Sequence, residues 1–451
     1  MGKLFGTDGV RGIANEELTN QLAYNLGFFG ARVLTHRLEG KKARILVGKD
    51  TRLSGDMLEN ALIAGILASG SDVVKAGVIP TPGVAFLVRK EGYDAGIMIS
   101  ASHNSFEYNG IKFFNGEGLK LSDEVENAIE ELILGEKNEM KPVVGEALGR
   151  LYEDSQVKYQ YLDHIKRIAH ADYSSLEFAI DVANGAVFEL APQLFDSLGA
   201  KVHVLNHQPD GININAACGS TYMGGLREYV ITHHLDFGLA FDGDADRLLA
   251  VDHTGNLVDG DKIMMILANQ MKAQNKLVKN AVVVTVMSNI GFHKAMMESE
   301  VDVEVTRVGD RYVLEKMLEK EYTIGGEQSG HIIFLEHNTT GDGLLTGVKL
   351  INAIIDSGST LKALAEKMKT FPQVLKNARI HPENMKTYNQ HRAINQRIRE
   401  IEDQMKGSGR ILIRPSGTEP LIRVMLEGED LEQLNQYASE LVELFEEQLK
   451  K

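Results

Sequence analysis

Three aspartates, Asp242, Asp244 and Asp246, recur at every second position of the run Asp-Gly-Asp-Ala-Asp-Arg. In extended backbone that spacing projects all three carboxylates to one side. Carboxylate oxygens suit Mg²⁺ or Mn²⁺, and Mg²⁺ completes its shell with water or phosphate. A solvated acidic loop is the plain alternative. A strand end with interleaved Gly and Ala, however, offers no reason to gather three mutually repelling charges. An EF-hand is excluded, because the ligand spacing stops at Arg247.

A second stretch, Ser100-Ala101-Ser102-His103-Asn104, ends the apolar run 95–99 and precedes Asn109-Gly110-Ile111-Lys112. It reads as a buried strand delivering Ser102 onto a loop. A serine there is most often a turn former. In an extended segment the adjacent side chains of Ser102 and His103 diverge, which argues against a Ser-His pair of protease type, and no G-x-S-x-G elbow is present. A serine phosphoester has other needs: a metal and cationic donors around the transferred group. Arg247, Lys112, Arg11 and His103 are the nearest candidates by motif to supply that charge, although His103 also reads as a loop histidine bonded to backbone.

Two further loops carry donors. Arg414-Pro-Ser-Gly-Thr-Glu-Pro-Leu-Ile-Arg423 reads as an anion cradle, with Ser416, Gly417 and Thr418 offering hydroxyl and backbone N–H groups between two guanidinium forks. The bland alternative is a Gly-Ser surface turn. Glu327, Ser329 and His331, set between glycines, offer donors and acceptors suited to sugar hydroxyls. Near the start, three glycines around Asp8 and Arg11 read either as an ordinary turn or as an arginine offered to an anion.

The elements that must position these loops alternate. Strands are expected at 44–47, 73–78 and 95–99, with helices around Leu22, Leu26 and Phe29, from Asp56 to Ser69, and over 84–89. A β-α-β order implies parallel pairing with right-handed crossovers, and sites form at the carboxyl ends of such strands. A helix from Ser122 to Leu134 and a polar stretch, 135–144, close this run. A second run places strands at 178–182, 202–205 and 237–241, the last ending at the aspartates. A third places strands at 282–286, 301–305 and 322–324, then helices at 343–356 and 360–369. Beyond Phe371-Pro372 the texture changes to short strands (374–380, 410–413, 421–426) and two helices, a small α+β unit. The expected domains are 1–150, 151–255, 256–369 and 370–451: three similar α/β domains with mostly parallel mixed sheets, then a smaller C-terminal α+β domain, around a central cleft.

Length and composition agree. At 451 residues, with 43% hydrophobic and 25% charged residues, the chain reads as a multidomain soluble protein. No apolar run nears the roughly 20 residues of a membrane span, and the start lacks the form of a signal peptide. A single cysteine, Cys218, rules out an internal disulfide and fits a reducing cytoplasm. A formal charge of -15 disfavours nucleic acid or an anionic membrane as partner, but not an anionic metabolite held in a local cationic pocket.

At these residues the sequence resembles the α-D-phosphohexomutase superfamily along its whole length. Ser-Ala-Ser-His-Asn is similar to that family's phosphoserine loop, Asp-Gly-Asp-Ala-Asp-Arg to its metal loop, Gly-Glu-Gln-Ser-Gly-His to its sugar loop, and Arg-Pro-Ser-Gly-Thr-Glu-Pro to its phosphate loop. The start, Phe-Gly-Thr-Asp-Gly-Val-Arg-Gly, and Gln328 favour the glucosamine branch over the glucose and mannose branches, which remain the alternatives beside a Mg²⁺-dependent sugar-phosphate hydrolase or a non-catalytic sensor.

The resemblance implies a cytoplasmic isomerase interconverting glucosamine 6-phosphate and glucosamine 1-phosphate on the route to UDP-N-acetylglucosamine and cell-wall precursors. It implies a phosphorylated Ser102, one Mg²⁺ held by Asp242, Asp244 and Asp246 beside the Ser102 phosphate, and a glucosamine 1,6-bisphosphate intermediate. It further implies His103 and Lys112 as acid/base candidates. Arg11, Arg247, Glu327, Ser329 and His331 would touch substrate, and Arg414, Ser416, Gly417, Thr418 and Arg423 its phosphate. A homodimer is left open. Two positions depart from the family pattern: Ser105 stands where proline is usual, and Tyr108 where aspartate commonly precedes Asn-Gly-Ile-Lys. Losing the proline ring loosens the loop, so altered loop order or rate is expected, with the chemistry retained.

Overall fold

The strand Ala95–Ile99 is buried along its whole length because both faces of its sheet are covered. Ile97 and Ile99 belong to a core shared with helices Asn20–Thr35 and Gly55–Ser69. On the other face, a Cβ at Gly96 would run into Val84 and Val88 of helix Thr81–Glu91. A strand covered on both faces reads as a continuous apolar run. The computed structural model describes residues 4–6, 8–35, 41–135, 141–405, 407–415 and 421–449, so the middle of the polar stretch 135–144 lies outside the described residues.

The first sheet has six strands in the order Val10–Ile13, Tyr108–Asn115, Ala95–Ile99, Arg44–Lys49, Asp72–Val78, Leu151–Glu153. The last four are mutually parallel. Tyr108–Asn115 runs antiparallel to Ala95–Ile99, with Ile99 opposite Ile111 and Met98 opposite Lys112. The second sheet repeats the plan. Phe237–Phe241 is parallel to Glu177–Asp181, which is parallel to Lys201–Leu205, while Leu248–Asp252 returns antiparallel and Leu257–Val258 extends the edge. In the third sheet Ala281–Thr285 is parallel to Asp302–Thr306 and to Ile324–Gly326, and Ile332–Phe334 returns antiparallel. Three mostly parallel mixed sheets thus share one device: a buried strand, a loop at its carboxyl end, and a strand that turns back.

Several of these elements are invisible in the sequence. Val10–Ile13 looks like a turn because Gly12 and Arg11 break any apolar pattern. Tyr108–Asn115 contains an Asn-Gly turn signal. Here Asn109 instead spends its side chain within the strand, accepting Gly110 N–H at 2.8 Å and donating to Ser54 Oγ at 2.9 Å. Ile332–Phe334 is too short to show a period. The helix Val157–Ile168 is absent from the expected elements although Val157, Tyr161, Leu162 and Ile165 are buried at helical spacing, and the helix expected over 360–369 stops at Leu361–Ala365. The helix expected from Asp56 begins at Gly55, and Asp56 sits in its first turn, paired with Lys49.

The fourth sheet is antiparallel, in the order Gln373–Arg379, Leu421–Gly428, Gly409–Pro415. Helix Leu431–Leu449 buries Leu434, Ala438, Leu441, Phe445 and Leu449 on one stripe. With Ile394 and Ile401 of helix Arg392–Gln404 these cover Ile422, Val424 and Leu426 of the central strand. The chain forms two compact units: Met1–Met287 with Val301–Glu366, and Ser288–Glu300 with Lys367–Lys451. No helix among the described residues is long and apolar enough to cross a membrane.

Candidate active site

Ser102 follows the buried strand Ala95–Ile99 and is itself 1% exposed. Its φ is 53°, the left-handed region that L side chains avoid. That one torsion corrects the expectation of divergent side chains. The segment is not extended at Ser102, and His103 Nδ1 lies 3.4 Å from Ser102 Oγ. The hydroxyl donates to Asp242 Oδ2 at 2.6 Å, across 140 residues of sequence.

Asp242, Asp244 and Asp246 leave the end of Phe237–Phe241 and are buried, with ligand atoms of all three within 4.8 Å of one another. Asp242 Oδ1 accepts Arg247 N–H at 3.2 Å. Asp244 Oδ2 accepts from Lys112 Nζ at 2.8 Å and from Thr81 Oγ1 at 2.5 Å. Asp244 Oδ1 and Asp246 Oδ1 are buried with no hydrogen-bond partner. Burial, then Asp246 and Asp244, push the Asp242 carboxyl well above its ordinary value. Burial and Asp244 push Asp246 up likewise. Burial works in the same direction on Asp244, but Lys112 and Thr81 outweigh it and hold that carboxyl below the usual range. Three buried carboxylates this close together, two of them with an oxygen that lacks a hydrogen-bond partner, fit a hard divalent cation such as Mg²⁺.

Cationic groups ring the triad. Lys112, buried on Tyr108–Asn115, bridges Asp244 at 2.8 Å and Asp8 at 2.9 Å. Its burial opposes the charge, yet Asp244, Asp8 and Asp246 outweigh that and raise its pKa. His103 goes the other way. Burial, then the positive fields of Arg247 and Arg11, lower it to about 4. At neutral pH the imidazole is therefore uncharged and able to accept a proton, while Lys112 is a fixed cation. Sequence alone does not separate these two roles. Arg11, on Val10–Ile13, pairs with Asp8, and its Nε is buried without a partner. Asp8 also takes Lys120 Nζ at 2.5 Å, and Lys120 reaches on to Asp310. Asp8, Lys120, Asp310 and Thr81 went unread in the sequence as site residues; the polar run Gly-Thr-Asp-Gly around Asp8 was the signal available for the first of them.

The loop between Ile324–Gly326 and Ile332–Phe334 holds the remaining side chains. Glu327 Oε1 accepts Gly309 N–H at 3.1 Å, and Ser329 Oγ lies 3.3 Å from Glu327 Oε2. Arg247 Nε is buried without a hydrogen bond, 3.8 Å from Asp246 Oδ1. Burial opposes its charge, but Asp246, Asp242 and Glu327 outweigh that and raise it. His331 is packed inside, 3% exposed. Its Nε2 accepts Gly341 N–H at 3.1 Å and lies 3.6 Å from Asp310 and 4.0 Å from Asp246. Its Nδ1 is buried without a hydrogen-bond partner. Gln328 donates to Asp259 Oδ2 at 3.2 Å.

In the second unit, Arg414 and Arg423 are direct cross-strand partners of Gly409–Pro415 and Leu421–Gly428. Opposite residues of an antiparallel pair share a face, which sets the two arginines side by side on one side of the sheet. Ser416, Gly417 and Thr418, between the two arginines, lie outside the described residues.

Family models described as phosphoglucomutase/phosphomannomutase alpha/beta/alpha domains I, II and III and C-terminal domain match residues 2–140, 159–255, 259–371 and 350–444. Phosphoglucosamine mutase of Caldicellulosiruptor bescii is 53% identical over 451 residues, 100% of both chains. Phosphoglucosamine mutase of Acetivibrio thermocellus is 52% identical over 449 residues, again 100% of each. Among solved structures, a phosphoglucomutase/phosphomannomutase family protein from Burkholderia thailandensis superposes with a TM-score of 0.79 at 23% identity, covering 99% of this chain and 98% of that one. N-acetylphosphoglucosamine mutase of Aspergillus fumigatus, in complex with GlcNAc-6P and magnesium, does so with a TM-score of 0.71 at 17% identity, covering 98% and 95%. At these identities the structural likenesses carry the fold.

Proposed function

This chain belongs to the phosphoglucomutase/phosphomannomutase family of phosphohexomutases, and from that premise we propose that it works as a phosphoglucosamine mutase with Ser102 as its phosphoryl carrier. It is an isomerase that moves a phosphoryl group within one sugar, between the glucosamine 6-phosphate and glucosamine 1-phosphate forms. The observation that carries the reading is the hydroxyl of Ser102, held by a left-handed backbone 2.6 Å from Asp242, one of three buried aspartates whose ligand atoms lie within 4.8 Å of one another.

In the forward transfer the bond from phosphorus to Ser102 Oγ breaks, Oγ taking up a proton to become a hydroxyl, and a bond from phosphorus to the oxygen of the free sugar hydroxyl forms. The proton leaves that hydroxyl for a base. His103, whose Nδ1 lies 3.4 Å from Ser102 Oγ, is the group placed to take it, and the Lys112 ammonium, 2.8 Å from Asp244, supplies fixed positive charge beside the transferred group. The product is glucosamine 1,6-bisphosphate. After it turns over, the bond from its other phosphorus to the sugar oxygen breaks and a bond to Ser102 Oγ forms; Oγ gives up the proton it gained before, and the sugar oxygen takes one to become the free hydroxyl of the product. Asp242, Asp244 and Asp246 would hold Mg²⁺, which when bound neutralises charge on the phosphoryl oxygens. Glu327, Ser329 and Arg247 would read hydroxyls common to both sugar poses. Arg414 and Arg423, with Ser416, Gly417 and Thr418, would grip the phosphate not in transfer. Four domains, 1–150, 151–255, 256–369 and 370–451, would divide this labour.

The test is a coupled assay of glucosamine 1-phosphate formation, with glucose and mannose phosphates as competing substrates, alongside intact mass of the protein. The parent protein should gain one phosphate from a sugar bisphosphate, and Ser102→Ala should neither gain it nor turn over. Normal turnover by Ser102→Ala defeats the phosphoserine reading. A preference for glucose or mannose phosphates defeats the choice of sugar alone.

A further inference from the structure

Ser102 needs support that its own loop cannot provide. Its φ of 53° is disfavoured for an L residue, and such geometry persists only where surrounding groups over-determine it. Around it, His103 and Asn104 are half-buried, and Ser105, Glu107 and Tyr108 are open to solvent apart from Phe106, which is half-buried. At residue 105 there is no proline ring to restrict the backbone.

The support comes from Arg52, about fifty positions upstream, at the carboxyl end of Arg44–Lys49, the parallel neighbour of Ala95–Ile99. Its side chain is fully buried. A guanidinium has five N–H donors in a rigid fork, and all five are used. Nε donates to Asp50 Oδ2 at 2.8 Å. One terminal nitrogen, Nη2, reaches the carbonyls of Ser102 at 2.9 Å and Asn104 at 2.8 Å. The other, Nη1, reaches the carbonyl of Tyr108 at 3.0 Å and that of Ser105. Four carbonyls of one loop therefore converge on one side chain.

Asp50 completes the device. Its Oδ1 accepts Arg52 N–H at 2.9 Å, and its Oδ2 also accepts Ser100 Oγ at 2.6 Å. Ser100 Oγ in turn accepts Ser102 N–H at 3.0 Å. Both backbone polar groups of Ser102 thus trace to the Asp50–Arg52 pair. Asn215 Nδ2 adds bonds to the same carbonyls of Ser102 and Asn104, at 2.9 Å and 3.0 Å.

We propose that Arg52 is a positioning residue for the reaction: its fork, oriented by Asp50, holds the loop 102–108 so that Ser102 keeps the left-handed turn and presents Oγ to Asp242. This rests on the reading of Ser102 as phosphoryl carrier. Nothing in the role requires Arg52 to touch substrate, so it should act on the rate of transfer and leave sugar binding alone. Lysine cannot replace it, because three donors on one atom cannot span four separated carbonyls.

The experiment compares the full-length parent with Arg52→Lys, and with Asn215→Ala as a milder second variant. In Arg52→Lys, kcat should fall about 100-fold with KM unchanged, as expected when a reacting group is displaced by about 1 Å. Phosphate uptake on Ser102 from glucose 1,6-bisphosphate should slow in parallel. Amide hydrogen exchange should quicken in peptides spanning 100–108 and stay at the parental rate across 237–241. Asn215→Ala should shift the same readouts in the same direction by less. Parental kcat in Arg52→Lys overturns the proposal, as does exchange that quickens through the whole first sheet while kcat and KM change together. If Arg52→Lys does not fold, Asn215→Ala decides: local exchange with a kcat-only loss supports the clamp, and parental behaviour overturns it. Failure of the parent to take up phosphate on Ser102 defeats the carrier reading instead, and the exchange pattern still decides whether Arg52 holds the loop.

Discussion

Asp244 and Asp246 differ in what each leaves behind when its charge is removed. Asp246 Oδ1 has no hydrogen-bond partner, and its Oδ2 keeps Lys112 and His331 at 3.9 Å and 4.0 Å, beyond hydrogen-bond reach. Asp244 is paired to Lys112 at 2.8 Å, and the lysine side chain is 1% exposed. Removing one partner of a buried pair strands the other charge, at a cost of about 3 kcal/mol or more. Asp8 at 2.9 Å remains to Lys112 and moderates that loss. We therefore expect Asp246→Asn to raise the Mg²⁺ concentration needed for activity while melting near the parent in chelator. Asp244→Asn should show the same metal defect and also melt lower in chelator. Mg²⁺ titrations of turnover and thermal melts in EDTA read the two effects separately. Equal melting losses in both variants would show that Asp246 is a structural carboxylate, and activity untouched by chelation would remove the metal from the mechanism.

At the scale of elements, the site is two strand-end loops pressed together. A Cβ built on Gly243 would lie 2.5 Å from the carbonyl oxygen of Ser102 and 2.8 Å from Asn215 Nδ2. The metal loop and the serine loop approach so closely that only hydrogen fits between them at this point. Gly243→Ala should force the loops apart at a cost of about 1–3 kcal/mol, visible as a lowered melting temperature. It should also reduce kcat by lengthening the Ser102 to Asp242 contact. A variant with parental kcat would mean the loops can part without consequence for the chemistry.

The same closeness separates what residue types disclose from what only the folded chain brings together. The aspartates were legible because three like charges are out of place at the end of an apolar run, and Ser102, an ordinary turn residue by itself, through the resemblance of the loop around it; the parallel β-α-β order says where such ends gather. Arg52 and Asn215 were not, since each acts on backbone carbonyls 50 and 113 positions from itself, and carbonyls have no residue type. The returning strands Tyr108–Asn115 and Ile332–Phe334 were hidden for a related reason. Their pairing is set by the partner strand and not by a period of their own. One clue was present: Lys49-Asp50-Thr51-Arg52 ends a strand that neighbours the serine strand, so strand order, once known, points to it.

In the whole molecule, chain order and compact units part company. The helix Ile290–Glu298 follows the strand Ala281–Thr285 in sequence, yet Ser288–Glu300 belongs to the second unit with residues 367–451. What holds it there is a small set of buried polar bonds. Asn289, 1% exposed, accepts Phe371 N–H at 3.0 Å and donates to the Phe371 carbonyl at 3.0 Å. Ile290 N–H donates to Glu427 Oε2 at 3.0 Å, and Glu427, fully buried on Leu421–Gly428, also takes Arg410 Nε at 2.7 Å. A backbone N–H and a carbonyl of Phe371 would both lose their partner in Asn289→Ala, at about 1–3 kcal/mol for each group left unsatisfied. That loss should fall on the second unit alone. Hydrogen exchange in the full-length variant should quicken in peptides covering 288–300, 371–379 and 421–428, and remain parental across 95–99 and 237–241. Exchange that quickens equally in both sets would show that the segment 288–300 stabilises the chain as one cooperative body, and no change in either would show that Asn289 is not what anchors it.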